Sequence, residues 1–204
     1  MADRVPLDFD PAVRQLRALL LGITDDRLDR RTPCPDWTVG DLLDHIIGLS
    51  WAFTQAARGL GDAPGTGGPP PQPSAANLPP HWRSRLPVLL EELATAWQDP
   101  AAWTGTASAG GVTMPAGELG LVAMNEIVMH GWDLAMGSGQ EYAVDPRILG
   151  PLVEFLSRDA AGGPAVAAEG EASLLDQALV LAGRDPRWRT ARRDVSARST
   201  TAVE

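Results

Sequence analysis

Apolar side chains recur at every third or fourth position in one stretch after another of this chain, and proline or glycine closes most of those stretches. Val13, Leu16, Leu19 and Leu20 form one such set; Leu42, Leu43, Ile46, Leu49 and Phe53 form a second; Leu89, Leu90, Leu93 and Trp97 a third. A fourth runs through Leu119, Val122 and Ala123, and a fifth through Ile148, Leu152, Phe155 and Leu156. A period of 3.6 residues places each set on one side of a helix, whereas a strand needs alternation. No strand ladder is visible. The pattern predicts an all-α protein: an up-down four-helix bundle with a long crossover loop and a small C-terminal helical extension.

Local signals set the boundaries. Asp10-Pro11 reads as an N-cap with proline at the first helical position. Thr32-Pro33-Cys34-Pro35-Asp36 is non-helical, because each proline pushes its predecessor out of the helical region. Thr38 and Asp41 have the spacing of a capping box and predict a helix from Val39 to about Arg58. Residues 59–80 are crowded with Gly, Pro, Ala and Ser and read as a flexible linker or surface loop. A third helix is predicted over Ser84–Gln98, with Pro87 tolerable only in its first turn. Residues 100–114 predict a short hairpin or an irregular crossover, and Pro115 opens a helix from Ala116 to Met136 that Gly137 stops. Two more helices are predicted, from Asp145-Pro146 to Asp159 and from Ser173 to Gly183, followed by a loose Arg-rich tail after Trp188. The expected division is a bundle over 1–160 and a C-terminal extension over 161–204.

Composition narrows the chemistry. With 26 acidic against 17 basic residues the net charge is -9, which argues against nucleic-acid or anionic-membrane binding. Every basic residue is arginine, so a lysine Schiff base is excluded. The single cysteine, Cys34, excludes an intrachain disulfide and a cysteine-cluster metal site. The polar opening Met1-Ala2-Asp3-Arg4-Val5 lacks a signal peptide's apolar run, and no apolar run is long enough to span a membrane. A cytoplasmic monomer or homodimer is the expectation.

Three histidines are present. His45 lies between Leu42 and Leu49 at helical spacing and points inward; Glu126 and His130, four apart, share one helix face with Leu119, Val122 and Ala123. A buried glutamate is costly unless paired or bound to a metal, and helical bundles build metal sites from such residues on facing helices. His45, Glu126 and His130 would leave a divalent ion with open positions, as catalytic sites do; Zn²⁺ suits the donors, and Ni²⁺ or Fe²⁺ fits them too. Asp41 and Asp133, four before His45 and three after His130, are placed to accept the second imidazole N–H. A Glu–His pair at this spacing also occurs on helix surfaces, and an inward histidine is often an ordinary core residue. Trp37, Trp51 and Trp132 read as core anchors, and Cys34 as a small packing residue. His81 reads as solvated, Arg83 and Arg85 likewise, and Asn125 as bonding backbone rather than metal.

The segment Thr32-Pro33-Cys34-Pro35-Asp36-Trp37-Thr38-Val39-Gly40-Asp41-Leu42-Leu43-Asp44-His45 resembles the first metal-ligand motif of the DinB-like superfamily. More closely, it resembles the actinobacterial branch that includes mycothiol-dependent maleylpyruvate isomerase. Asn125-Glu126-Ile127-Val128-Met129-His130-Gly131-Trp132-Asp133-Leu134-Ala135 is similar to that branch's second motif, and the likeness spans roughly residues 9–160. The resemblance implies metal ligands at His45, Glu126 and His130 and a metal that holds the low-molecular-weight thiol mycothiol as thiolate. It implies addition of that thiolate to a conjugated cis-alkene, rotation, and elimination to the trans product. After residue 160 the isomerase-type C-terminal domain is shortened or replaced, and residues 164–188 instead look like the tail of an uncharacterised metal-binding subgroup. Three functions therefore stand open: a thiol (mycothiol)-dependent isomerase or transferase acting on a small electrophilic metabolite; a metal-dependent hydrolase, lyase or cyclase that uses no thiol; and a non-enzymatic metal-binding module.

Overall fold

The computed structural model describes residues 6–61, 71–159 and 172–189. Four helices carry the core: α1 (Asp10–Leu20), α2 (Val39–Ala57), α3 (Trp82–Trp97) and α4 (Ala116–Ser138). Two shorter helices, α5 (Pro146–Asp159) and α6 (Leu174–Leu181), follow and pack on each other. Leu16, Leu42, Leu43, Ile46, Leu90, Leu93 and Ile127 are fully buried between the helices; each such aliphatic side chain contributes about 1.5–3 kcal/mol by leaving water.

Contacts at the helix ends set the directions. Phe9, just before α1, stacks on Trp97 at the end of α3 and meets Trp103 near the start of α4. At its other end the Leu19 carbonyl accepts from Gln140, just past α4. α1 thus runs parallel to α4 and antiparallel to α3. The start of α2 lies beside the end of α4, where Val39 packs against Gly137. The Asp41 and Asp44 carboxylates, also at the start of α2, accept from the Ala75 and Ser74 amides shortly before α3 begins. The described residues just before α3 therefore lie at the start of α2 rather than at its end, a helix of 19 residues or about 28 Å away, and α3 runs parallel to α2. A long crossover is what this order requires.

A hairpin joins α3 to α4: β1 (Thr106–Ala109) pairs antiparallel with β2 (Val112–Pro115), Thr106 opposite Pro115 and Ala109 opposite Val112. Of the two outcomes open for this segment, the hairpin is the one formed. Among the described residues no helix is long and apolar enough to cross a membrane.

Four local expectations are corrected. Asp10 is the first residue of α1 rather than its cap, and the Asp8 carboxylate accepts the Asp10 amide instead. Pro87 lies inside α3, past its first turn; the carbonyl whose helical donor it removes belongs to Arg83, an exposed residue. Gly137 does not stop α4. The helix continues to Ser138 and ends at Gly139, whose φ of 69° is the left-handed cap. Gly137 is instead a contact: a Cβ there would lie 2.9 Å from Thr32 Cγ2 and 3.0 Å from Val39 Cγ2. Trp51 is 57% exposed and anchors no core, unlike Trp132, which is buried. The parts of the expected loop, extension and tail over 62–70, 160–171 and 190–204 lie outside the described residues.

Candidate metal centre

The site is assembled where α2 and α4 face each other. The predicted capping box is formed: Thr38 Oγ1 accepts from the Asp41 amide, and the Asp41 carboxylate accepts from the Thr38 amide at 2.8 Å. The preceding loop is pinned by a bridge between Arg31 and Thr38 and by Thr32 Oγ1, which donates toward the Cys34 and Trp37 carbonyls. Within it Asp36 has φ 65°, a left-handed conformation that aspartate tolerates better than most residues. The loop lays the Trp37 ring over the site, 4.7 Å from the His45 ring centroid and 5.8 Å from that of His130. Trp37 packs against the core, as expected of an anchor, and also walls the imidazoles. It further lines a cleft of about 300 Å³ with Asp29, Arg31, Thr32, Asp36 and Thr38.

Both imidazoles converge on one carboxylate oxygen. His45 Nε2 lies 3.4 Å and His130 Nε2 3.0 Å from Glu126 Oε2. Ligand atoms of the three residues all fall within 4.8 Å of one another. Burial alone would raise the Glu126 pKa; hydrogen bonds from His130 and His45 and their charges outweigh it and hold the carboxyl far below the usual carboxylate range. Burial likewise pulls His130 down, but its bonds to Asp133 and Glu126 prevail and raise it.

Asp133 stands behind His130, its Oδ2 3.1 Å from Nδ1. This is the placement the sequence suggested: with Nδ1–H donating to Asp133, Nε2 faces Glu126 Oε2, to which it donates when the ring is protonated and beside which it offers a lone pair when a cation takes the proton's place. Two acceptors at 3.0 Å require a positive centre between them, either a proton or a cation. The donor set of two imidazoles and a carboxylate therefore fits a divalent metal ion.

Asp41 does not take the corresponding place behind His45. Its oxygens accept from Thr38 and from the Ala75 amide at 2.7 Å, so it tethers the crossover to the start of α2. Cys34 comes closer to the centre than expected, its sulfur grouped with His130 and Asp133; burial, and then the Asp133 charge, push its thiol up to about 11. His81 is exposed at the start of α3 and is not among the residues whose ligand atoms cluster there. Arg83 is held by Asp25 and the Ile23 carbonyl and lies over the Trp82 ring. Arg85 is exposed, and Asn125 Oδ1 is buried with no donor among the described residues, so the backbone bond expected of it is not made there.

Sequence reading missed Arg184. Its Nη2 donates to Asp133 Oδ2 at 3.0 Å, from a segment that shares no spacing or motif with the ligands. No signal short of the fold joins the two.

Comparison with known proteins gives the chain a family. The family model for the mycothiol maleylpyruvate isomerase N-terminal domain matches residues 9–135, which include His45, Glu126, His130 and Asp133. The uncharacterized proteins MT0763 and Rv0738, from two strains of Mycobacterium tuberculosis, are each 30% identical over 142 residues. Those matches cover 64% of this chain and 65% of the relatives' length. The crystal structures of mycothiol-dependent maleylpyruvate isomerase and of a mutant of it are 19% and 18% identical, with TM-scores of 0.48 and 0.49. Each covers 72% of this chain and 66% of the solved one. On the family match, which takes in more than half of its residues, the chain belongs to the mycothiol maleylpyruvate isomerase N-terminal domain family.

Proposed function

We propose that this protein binds one divalent cation, zinc being the best fit, through His45, Glu126 and His130, and that it catalyses a thiol-dependent reaction on a small electrophilic metabolite. Mycothiol is the thiol that the family points to, and isomerisation or thiol transfer is the reaction class. The observation that carries this reading is the convergence of His45 Nε2 and His130 Nε2 on Glu126 Oε2 at 3.4 and 3.0 Å.

A divalent cation held there supplies a Lewis acid that lowers the pKa of a coordinating thiol, giving a nucleophile at neutral pH. The chain's own groups prepare the place for it. Glu126, kept ionised by its two histidines, contributes the negative charge. Asp133 holds the His130 Nδ1 proton, so that Nε2 keeps its lone pair free. Trp37 covers one side of both imidazoles and limits the approach of water. The cleft of about 300 Å³ that Trp37 also lines is at the small end of ligand sites, which suits a metabolite rather than a polymer.

The test is turnover of a panel of small conjugated cis-alkenes by zinc-loaded protein, with and without mycothiol. The reading expects product only when the thiol is present. Equal turnover without thiol would transfer the site to hydrolase, lyase or cyclase chemistry. Stoichiometric metal with no turnover in either arm would make it a non-enzymatic metal-binding module.

A further inference from the structure

Beyond the family-matched segment, the chain returns to the candidate metal centre. α6 ends at Leu181 with Ala182 as its cap, and Gly183, at φ 75°, turns the backbone sharply enough to aim the next side chain back at the bundle. That side chain is Arg184. Its amide closes onto the Leu179 carbonyl at 2.8 Å, and its Nη1 onto the Ala182 carbonyl at 2.7 Å. The guanidinium is thereby locked to the end of α6 and has Nη2 left to deliver to Asp133 Oδ2, 3.0 Å away. The Arg184 side chain is 19% exposed and that of Asp133 is 0% exposed.

The same Asp133 oxygen accepts from His130 Nδ1 at 3.1 Å. One oxygen thus joins a cation on the C-terminal segment to an imidazole on α4. Asp133 Oδ1 is buried without a partner among the described residues, and so is Arg184 Nε. The orientation of this carboxylate therefore hangs on the single Nη2 contact and the imidazole, rather than on the two-bond fork that an arginine and a carboxylate commonly make. A carboxylate free to rotate could not hold the His130 ring, and ligand-holding partners of this kind typically change metal affinity 10- to 100-fold when removed.

We infer that Arg184 is a positioning residue of the metal centre, which sets the His130 ring through Asp133, and that residues 172–189 are part of the site although they lie outside the family-matched segment. This inference rests on the metal reading above and adds to it a requirement that His45, Glu126 and His130 alone do not contain.

The experiment uses the full chain as wild type, Arg184→Gln, Arg184→Lys and, as a control, Arg187→Ala, an exposed arginine of the same segment. Zinc affinity is read by competition with a chromophoric chelator, the visible spectrum is read on cobalt-loaded protein, and His130 is read by long-range proton–nitrogen spectra of metal-free protein. Arg184→Gln is expected to weaken zinc about 10- to 100-fold, to shift the cobalt bands, and to lose the hydrogen-bonded Nδ1–H signal of His130. Lysine at 184 should recover part of the affinity, and Arg187→Ala should match wild type. A folded Arg184→Gln protein with wild-type affinity, bands and imidazole spectrum overturns the inference. If that variant does not fold, Arg184→Lys decides: a weakened affinity with shifted bands supports it, and wild-type values in both overturn it. Failure of the wild type to take up zinc sinks the metal reading instead, and the imidazole spectra then still test the link from Arg184 to His130.

Discussion

His45 on α2 and Glu126 on α4 stand 81 positions apart in sequence, yet His45 Nε2 lies 3.4 Å from Glu126 Oε2. With His130 this pair makes the electrostatic centre of the bundle, and the two shifted groups respond to pH in opposite senses. Glu126 is lowered from 4.5, so its contribution to stability is present above that value and is lost as pH falls toward the lowered pKa. His130 is raised from 6.5, so its contribution is present below that value and is lost as pH rises through the raised pKa.

Thermal unfolding of metal-free protein across pH, wild type against Glu126→Gln, reads this directly. The advantage of wild type is expected to be largest between 4.5 and 6.5 and to shrink on either side. An advantage that does not vary with pH would contradict the coupling.

Asp41 offers a cleaner separation of roles. It caps α2 and holds the Ala75 amide, and it is not bonded to His45. Asp41→Ala should therefore cost about 1–2 kcal/mol of stability, measured by urea unfolding, and leave zinc affinity unchanged. A large loss of zinc affinity in a folded variant would return Asp41 to a role behind the imidazole.

Two helical glycines should answer oppositely to alanine. Gly48 is exposed, and a Cβ there meets nothing within 4 Å, so Gly48→Ala gains about 0.5–1 kcal/mol. At Gly137 the same helical gain is offset by crowding against Thr32, Val39 and the Arg31 carbonyl, an overpacking cost of about 1–3 kcal/mol. The net loss is expected to be on the order of 1 kcal/mol by urea unfolding. Stabilisation by Gly137→Ala would show that the loop carrying Trp37 gives way freely.

These residues also show what the sequence could and could not reveal. Spacing on a single helix was enough for the Thr38–Asp41 cap, for the Glu126–His130 pair and for Asp133 three positions on, because a helix of known pitch dictates which side chains share a face. Gly137 carries the same local signal as a helix stop, and only the packing of the 31–38 loop against α4 distinguishes it from Gly139. Trp37 reads as an anchor from its place before a helix; its position over two imidazoles depends on the left-handed turn at Asp36. Arg184 meets Asp133 across 51 positions, a relation that no periodicity encodes.

The central claim is that His45, Glu126 and His130 together hold one divalent ion. Elemental mass spectrometry tests it most directly, on untagged protein reconstituted with zinc, wild type beside Glu126→Ala and His130→Ala, with circular dichroism to confirm that each is folded. The account predicts about one ion per chain in wild type and its loss in both variants. Absence of metal from wild type after reconstitution, or full retention in folded Glu126→Ala, would contradict it.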